Sequence, residues 1–97
     1  MTLAQSEASC VLRLEGEIDI ASAAELKQIL LEALMSEKEL RVNLESASEL
    51  DVTAWQLLWA AERAARGSGR EFRLVGRVPE EIAVAARESG IDKFPGL

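Results

Sequence analysis

Short apolar runs alternate with longer amphipathic stretches along the chain, and this alternation constrains the fold more than any other feature. Residues 10–14, 39–44 and 71–75 each have the composition of a strand, and a weaker strand pattern covers residues 2–5. Neighbouring parallel strands need long crossover connections, which the intervening helices can supply. The sequence therefore predicts an α/β domain with a largely parallel four-stranded sheet, a first strand that can pair antiparallel, and helices packed on the sheet.

The first predicted helix covers residues 21–35, where apolar side chains recur at helical spacing. Asp19 or Ser22 can cap its start, because both side chains accept hydrogen bonds from the free amides of a first helical turn. Residues 45–50 are mostly polar and are predicted as a loop.

The second and third helices have clear start signals. The second is predicted over residues 52–66, with Asp51 as its N-cap and a glycine-rich turn after it. The third should begin with Pro79 at its first position, where a missing amide costs nothing. Ile91 and Phe94 follow it and are expected to pack back on the body of the domain.

Length and charge limit the kinds of function that the chain can have. Its 97 residues, 48% of them hydrophobic, suffice for a single domain spanning residues 1–97. The net charge is −6, so binding to nucleic acid or to an anionic membrane is disfavoured. The sequence has no basic leader and no run of eighteen apolar residues, which predicts a cytoplasmic protein without direct membrane insertion.

The side chains that usually perform catalysis are scarce. Histidine is absent and Cys10 is the single cysteine, so the chain lacks the common general base, the commonest metal ligand and an internal disulfide. Its carboxylates come without a glycine-rich phosphate loop or a basic clamp for a substrate. The sequence therefore predicts no enzymatic activity, no metal and no cofactor, and Cys10 is expected to be a small buried hydrophobe.

The turn 51–54 stands where a strand leads into the second helix. The free amides of a helical first turn attract anions, so a hydroxyl placed there can carry a phosphate. Thr53 is the only hydroxyl in the turn, and it can instead make a local backbone hydrogen bond. Glu17 and Asp19 are expected at the same end of the sheet as Asp51, since functional loops of open α/β sheets gather at the carboxyl ends of strands.

The second helix also carries the predicted contact surface. On a helical wheel Leu58 lies at the centre of the inner stripe, whereas Val52, Trp59 and Arg63 lie together on one flank. Trp55 lies between the two groups and is predicted to be buried. Trp59 either joins the core or, if it is partly exposed, is the kind of aromatic anchor that dominates protein interfaces.

Several segments taken together resemble the STAS domain, the fold of bacterial anti-sigma-factor antagonists and of the cytoplasmic tails of sulfate transporters. The resemblance covers nearly the entire chain in matching order. It rests on the segments Leu14-Glu15-Gly16-Glu17-Ile18-Asp19, Leu50-Asp51-Val52-Thr53-Ala54-Trp55-Gln56-Leu57-Leu58 and Ser89-Gly90-Ile91-Asp92-Lys93-Phe94, with the long first helix between the first two.

The resemblance implies a mechanism of partner switching. In such antagonists the unphosphorylated form binds a serine kinase or anti-sigma factor of the histidine-kinase-like ATPase type, and phosphorylation at the turn breaks the complex. The usual phosphoserine position is Val52 in this chain, which has no hydroxyl, so Thr53 is the only nearby acceptor. The expected function is a regulatory interaction module whose partner-binding residues are Glu17, Asp19, Asp51, Val52, Thr53, Trp59 and Arg63.

Two alternatives follow from the same residues. Related STAS proteins of chemotaxis gene clusters and of a phospholipid-transport complex have a similar turn, followed here by Gln56-Leu57-Leu58, which implies a docking subunit of such a complex. A phosphate-accepting receiver domain also places an aspartate after a strand. It needs a further acidic pair and a lysine, places that Gly16-Glu17 and Gly76-Arg77 fill poorly.

Overall fold

Strands and helices alternate along the part of the chain that the computed structural model describes, residues 1–91 and 93–97. The strands are β1 (Thr2–Gln5), β2 (Ser9–Arg13), β3 (Gly16–Ile18), β4 (Glu39–Asn43), β5 (Ala47–Leu50) and β6 (Phe72–Val75). The helices are α1 (Ala23–Met35), α2 (Val52–Gly67) and α3 (Glu80–Glu88), and a short 3-10 helix over Ile20–Ser22 precedes α1.

Four of these strands form the main sheet, in the order β1-β2-β4-β6. β1 and β2 pair antiparallel across a tight hairpin, in which the Ser6 amide donates to the Ser9 carbonyl at 2.9 Å. The β2–β4 and β4–β6 pairs are parallel, as their helical crossovers require. The prediction of a largely parallel four-stranded sheet with an antiparallel first strand is confirmed.

Side chains alternate between the two faces of this sheet. Leu12 and Val42 are neighbours in register, and both are fully buried. Phe72 on β6 is almost completely buried. Arg41 and Arg73 are also neighbours in register, but they point to solvent, where both pair with Glu39 at 3.3 and 3.5 Å. The helices therefore cover one face and the charged face stays open, because period-two alternation gives each strand one apolar side.

Residues 45–50 were predicted as a loop, and this prediction is wrong. Ala47–Leu50 forms β5, which pairs in parallel with β3 to make a second, two-stranded sheet. Ala47 and Leu50 are buried, whereas Ser48 and Glu49 between them are exposed. The strand is stabilised by pairing with β3, about thirty residues away, and by the burial of its first and last residues. Neither feature produces a local apolar run in the sequence, so the strand was not predicted.

The helix starts follow the predicted caps with two adjustments. Asp19 is the cap of the first helical segment, since its Oδ1 accepts from the Ser22 amide at 3.2 Å, and the 3-10 turn delays α1 by two residues. Asp51 caps α2 as predicted. Pro79 was predicted at the first position of the third helix, but it is the N-cap of α3, with an extended ψ of 139°.

The C-terminal residues pack back on the domain as predicted. Ile91 and Phe94 are both buried. The Phe94 ring makes edge-to-face contacts with Trp55, Trp59 and Phe72, at centroid distances of 5.3, 5.6 and 5.9 Å. Trp55 is buried, which confirms its prediction, whereas Trp59 is partly buried against the core.

Candidate functional site

The two strands of the second sheet end side by side, and each is followed by a capping aspartate. Ile18 and Leu50 are partners in register, so Asp19 and Asp51 follow them at the same edge. The Asp51 amide donates to the Ile18 carbonyl at 2.9 Å, which extends the pairing into the turn. The two loops that the sequence placed together are therefore adjacent in the fold.

The start of α2 is fixed by Asp51. Its Oδ2 accepts from the Thr53 amide at 3.2 Å, and its backbone carbonyl accepts from the Trp55 amide at 3.2 Å. Thr53 itself is half-buried, and its hydroxyl has no hydrogen-bond partner within residues 1–91 and 93–97. Among these residues the Thr53 hydroxyl therefore makes no local hydrogen bond to the backbone. The local bond at this position is the one that the Thr53 amide donates to Asp51.

Carboxylates surround this edge. Glu17 and Glu49 are partners in register, and both side chains are exposed. Asp19 is exposed and Asp51 is half-buried. This acidic rim, defined as Glu17, Asp19, Glu49 and Asp51, produces a negative potential that attracts a basic surface and weakens as salt rises.

Two exposed aliphatic side chains directly follow the capping aspartates of the acidic rim. Val52 follows Asp51 and is 46% exposed, and Ile20 follows Asp19 and is 73% exposed. Val52 was predicted from the sequence, whereas Ile20, which directly precedes the predicted first helix over residues 21–35, was not singled out. The repeated Asp-aliphatic step after two strands was the available signal. An apolar centre inside a charged rim is the usual composition of a protein interface.

Trp59 and Arg63 lie further along α2, on the same flank as Val52. Trp59 is seven residues after Val52, which corresponds to about 10 Å along the helix. Its ring is partly buried against the core, where it makes a T-shaped contact with the Phe94 ring, while Arg63 is exposed. The seven sequence-predicted residues thus form two groups, five at the strand ends and two along the helix.

The family comparison agrees with this geometry. The family model described as "Mlab, STAS domain" matches residues 1–97. The chain belongs to the STAS domain family. No curated protein matches it significantly.

Solved structures have the same fold at low sequence identity. An anti-sigma factor antagonist from Mycobacterium paratuberculosis has a TM-score of 0.82 and 21% identity, over 97% of this chain and 80% of that one. The unphosphorylated antagonist SpoIIAA has a TM-score of 0.75 and 17% identity, over 98% and 84%. The phosphorylated form of SpoIIAA, from Bacillus, has a TM-score of 0.72 and 19% identity, over 93% and 83%. A protein described as Mglu has a TM-score of 0.69 and 18% identity, and the match spans 84% of this chain but 20% of Mglu.

One acidic residue of this STAS domain was not singled out from the sequence. Glu62 on α2 is buried, with only 5% of its surface exposed. Its Oε2 accepts from the Arg66 Nε at 3.0 Å, an i,i+4 pair that the sequence spacing could have indicated. Glu62 is buried because its position on α2 faces the body of the domain.

Three further features concern the part of the STAS domain that the structure describes. Within it, no group of three or more histidine, cysteine, aspartate or glutamate side chains is placed to hold a metal ion. None of the helices described there combines the length and apolar character needed to cross a membrane. Cys10 is fully buried as predicted, with its Sγ 3.1 Å from the Ser36 Oγ.

Proposed function

We propose that this STAS domain is a non-enzymatic regulatory module that binds another protein through the acidic rim and the start of α2. The observation that carries the proposal is the pair of exposed aliphatic side chains, Ile20 and Val52, each directly after a capping aspartate of the acidic rim. Removing apolar surface from water is favourable, so these two side chains contribute binding free energy. The charges around them orient the partner. Trp59 and Arg63 extend the contact along α2.

The chemistry of the rim defines the partner surface. A complementary partner has an apolar depression surrounded by lysine or arginine side chains. Such attraction raises the association rate and falls with ionic strength. We propose a cytoplasmic serine kinase or anti-sigma factor of the histidine-kinase-like ATPase type, because the STAS fold and the similar structures described as anti-sigma-factor antagonists support this class.

Thr53 is the proposed site of any phospho-switch. A phosphate there adds about −1.5 to −2 charges near the positive end of α2, which stabilises it, and beside Asp51 and Glu49, which repel it. The two effects oppose each other in the free domain, so folding should change little. Against a basic or apolar partner surface, the added charge and its hydration change the affinity strongly.

A permanent docking subunit of a chemotaxis or phospholipid-transport complex is the second candidate. Val52 favours it, because an exposed valine at the usual acceptor position offers lasting apolar contact and cannot be phosphorylated. Phosphopeptide analysis of the protein from its native host separates the candidates. Phosphate on Thr53 under some growth condition supports the switch, and its absence under all conditions together with constant co-purification supports the subunit.

Val52→Asp tests the proposed surface. We expect the affinity for a partner captured from native lysate and then purified to fall at least about tenfold, since charge replaces the apolar centre. The melting temperature should change by less than about 2 °C, because Val52 is exposed. Isothermal titration calorimetry measures the first quantity and thermal unfolding the second.

Leu97→Asp is the matched control, because Leu97 is 38% exposed and follows the C-terminal turn. It should leave the affinity unchanged. If Val52→Asp binds as tightly as the wild type, the start of α2 is not the contact surface and the proposal fails. Measured turnover of a small molecule at the acidic rim would also contradict it.

A further inference from the structure

A shallow apolar groove lies between α1 and α2 on the outer side of the helix layer. Its lining combines Lys27, Leu31 and Leu34 of α1 with Leu57, Ala60 and Ala64 of α2. Leu31 is 45% exposed, and Met35 beyond it is 82% exposed. These are two of the few large apolar side chains that the described chain leaves in water, and they are separate from the acidic rim.

The two walls of the groove differ in height. Lys27, Leu31 and Met35 are four residues apart and form a ridge of long side chains along α1. The α2 wall is low, because Ala60 and Ala64 carry only a methyl group each. Small side chains let another helix approach closely, within the 8–10 Å of ordinary helix packing. The shape of the groove is therefore suited to binding one more helix.

The charge of the groove is opposite to that of the chain. The whole sequence has a net charge of −6, yet the ionisable residue of the lining is Lys27, and Arg63 is exposed beside the alanine wall. At 100° per residue, Glu25 and Glu32 fall on the far flank of α1. An occupant with carboxylates along its edges is therefore complementary.

The size of the groove argues against a second copy of the chain. The lining spans seven residue steps on each helix, which is about 10 Å. A stable dimer buries roughly 800 Å² on each partner, more than two helices can offer over that length at a spacing of about 10 Å.

We propose that this groove docks a short amphipathic helix of another protein, with a stripe of leucine-like side chains flanked by glutamate or aspartate. The apolar stripe fills the space above the alanine wall, and the acidic flank pairs with Lys27 and Arg63. This binding surface shares Arg63 with the contact proposed along α2, but it otherwise goes beyond the proposed function, because it uses the groove between α1 and α2 and leaves Val52 free.

The test uses the full chain and two synthetic peptides of about 14 residues, roughly four helical turns. One has a leucine stripe flanked by glutamates on an alanine-rich background, and the other has lysines in place of the glutamates. Fluorescence anisotropy measures affinity, and amide chemical shifts locate the bound peptide. We expect the acidic peptide to bind at least tenfold more tightly than the basic one, with the largest shifts at Leu31, Ala60 and Ala64.

Two pairs of variants complete the experiment. Ala60→Glu should weaken binding of the acidic peptide at least tenfold, whereas the same substitution at the exposed Ala85 of α3 should leave it unchanged. Lys27→Glu should abolish the preference for the acidic peptide, and Lys93→Glu should not. Circular dichroism confirms that each variant is folded.

Several results overturn the proposal. Absence of binding by the acidic peptide, equal binding of the two peptides, or unchanged binding by Ala60→Glu each does so. Dimerisation in sedimentation that Ala60→Glu abolishes would assign the groove to a second copy. Binding to anionic phosphatidylglycerol vesicles that depends on Leu31 and Lys27 would assign it to a membrane surface.

Discussion

Replacing Phe94 tests how the C-terminal residues hold the aromatic core. The side chain is 2% exposed and its ring meets Trp55, Trp59 and Phe72 edge to face within 5.9 Å. Phe94→Ala leaves a cavity bordered by three aromatic rings, and burial changes of this size cost about 3–5 kcal/mol in the free energy of unfolding. For a domain of this length each kcal/mol corresponds to about 4–8 °C, so the melting temperature should fall by at least about 12 °C.

Phe94→Leu separates the aromatic contacts from simple burial. Leucine keeps most of the apolar volume but removes the ring edges, each worth about 0.5–1.5 kcal/mol in a good pair. We expect the free energy of unfolding to fall by about 1–3 kcal/mol, which is less than the fall expected for Phe94→Ala. Urea unfolding followed by tryptophan fluorescence and by circular dichroism measures both variants.

The fluorescence spectrum supplies an independent check. Loss of Phe94 uncovers Trp59, which is already partly exposed, so its emission should move to longer wavelength in the folded variant. A destabilisation of Phe94→Ala below about 1 kcal/mol, or an unchanged spectrum, would show that the C-terminal residues do not pack on α2 as described.

Three further substitutions test single contacts, all by urea unfolding. Asp51→Ala removes the cap of α2 and should cost about 0.5–2 kcal/mol, whereas an unchanged midpoint would mean that the cap contributes nothing. Gly76→Ala should cost about 1–2 kcal/mol because its φ is +75°; the Glu45 carboxylate, 2.6 Å from the added Cβ, is the end of a flexible side chain and can move aside. Glu62→Ala should cost more than Glu62→Gln, since glutamine can still bond Arg66; equal losses would indicate that the 3.0 Å pair is not formed in solution.

The main sheet and the helices could be predicted because their signals are local. Strands β2, β4 and β6 are apolar runs, and the caps at Asp19 and Asp51 stand directly before the helices that they start. The β3–β5 sheet could not be predicted in this way. Its strands have three and four residues, and their stability comes from pairing with each other across α1 and β4.

The candidate site was predicted in part, for a related reason. The sequence placed Glu17, Asp19 and Asp51 at one edge, because the rule about carboxyl ends of strands concerns topology alone. Exposure depends on neighbours, so the sequence did not decide between the core and the surface for Trp59. For Ile20 the sequence offered only the Asp-aliphatic step that it shares with Val52, and this step does not show whether the side chain is left in water.

The hydrogen bond from the Asp51 amide to the Ile18 carbonyl joins the turns before α1 and α2. One pair of short strands therefore sets the position of both helix starts at once. A protein that displaces either turn must strain the other as well, so the amide signals of the first residues of α1 should respond to an event confined to α2. In this small domain, we therefore expect the N-terminal ends of α1 and α2 to shift together.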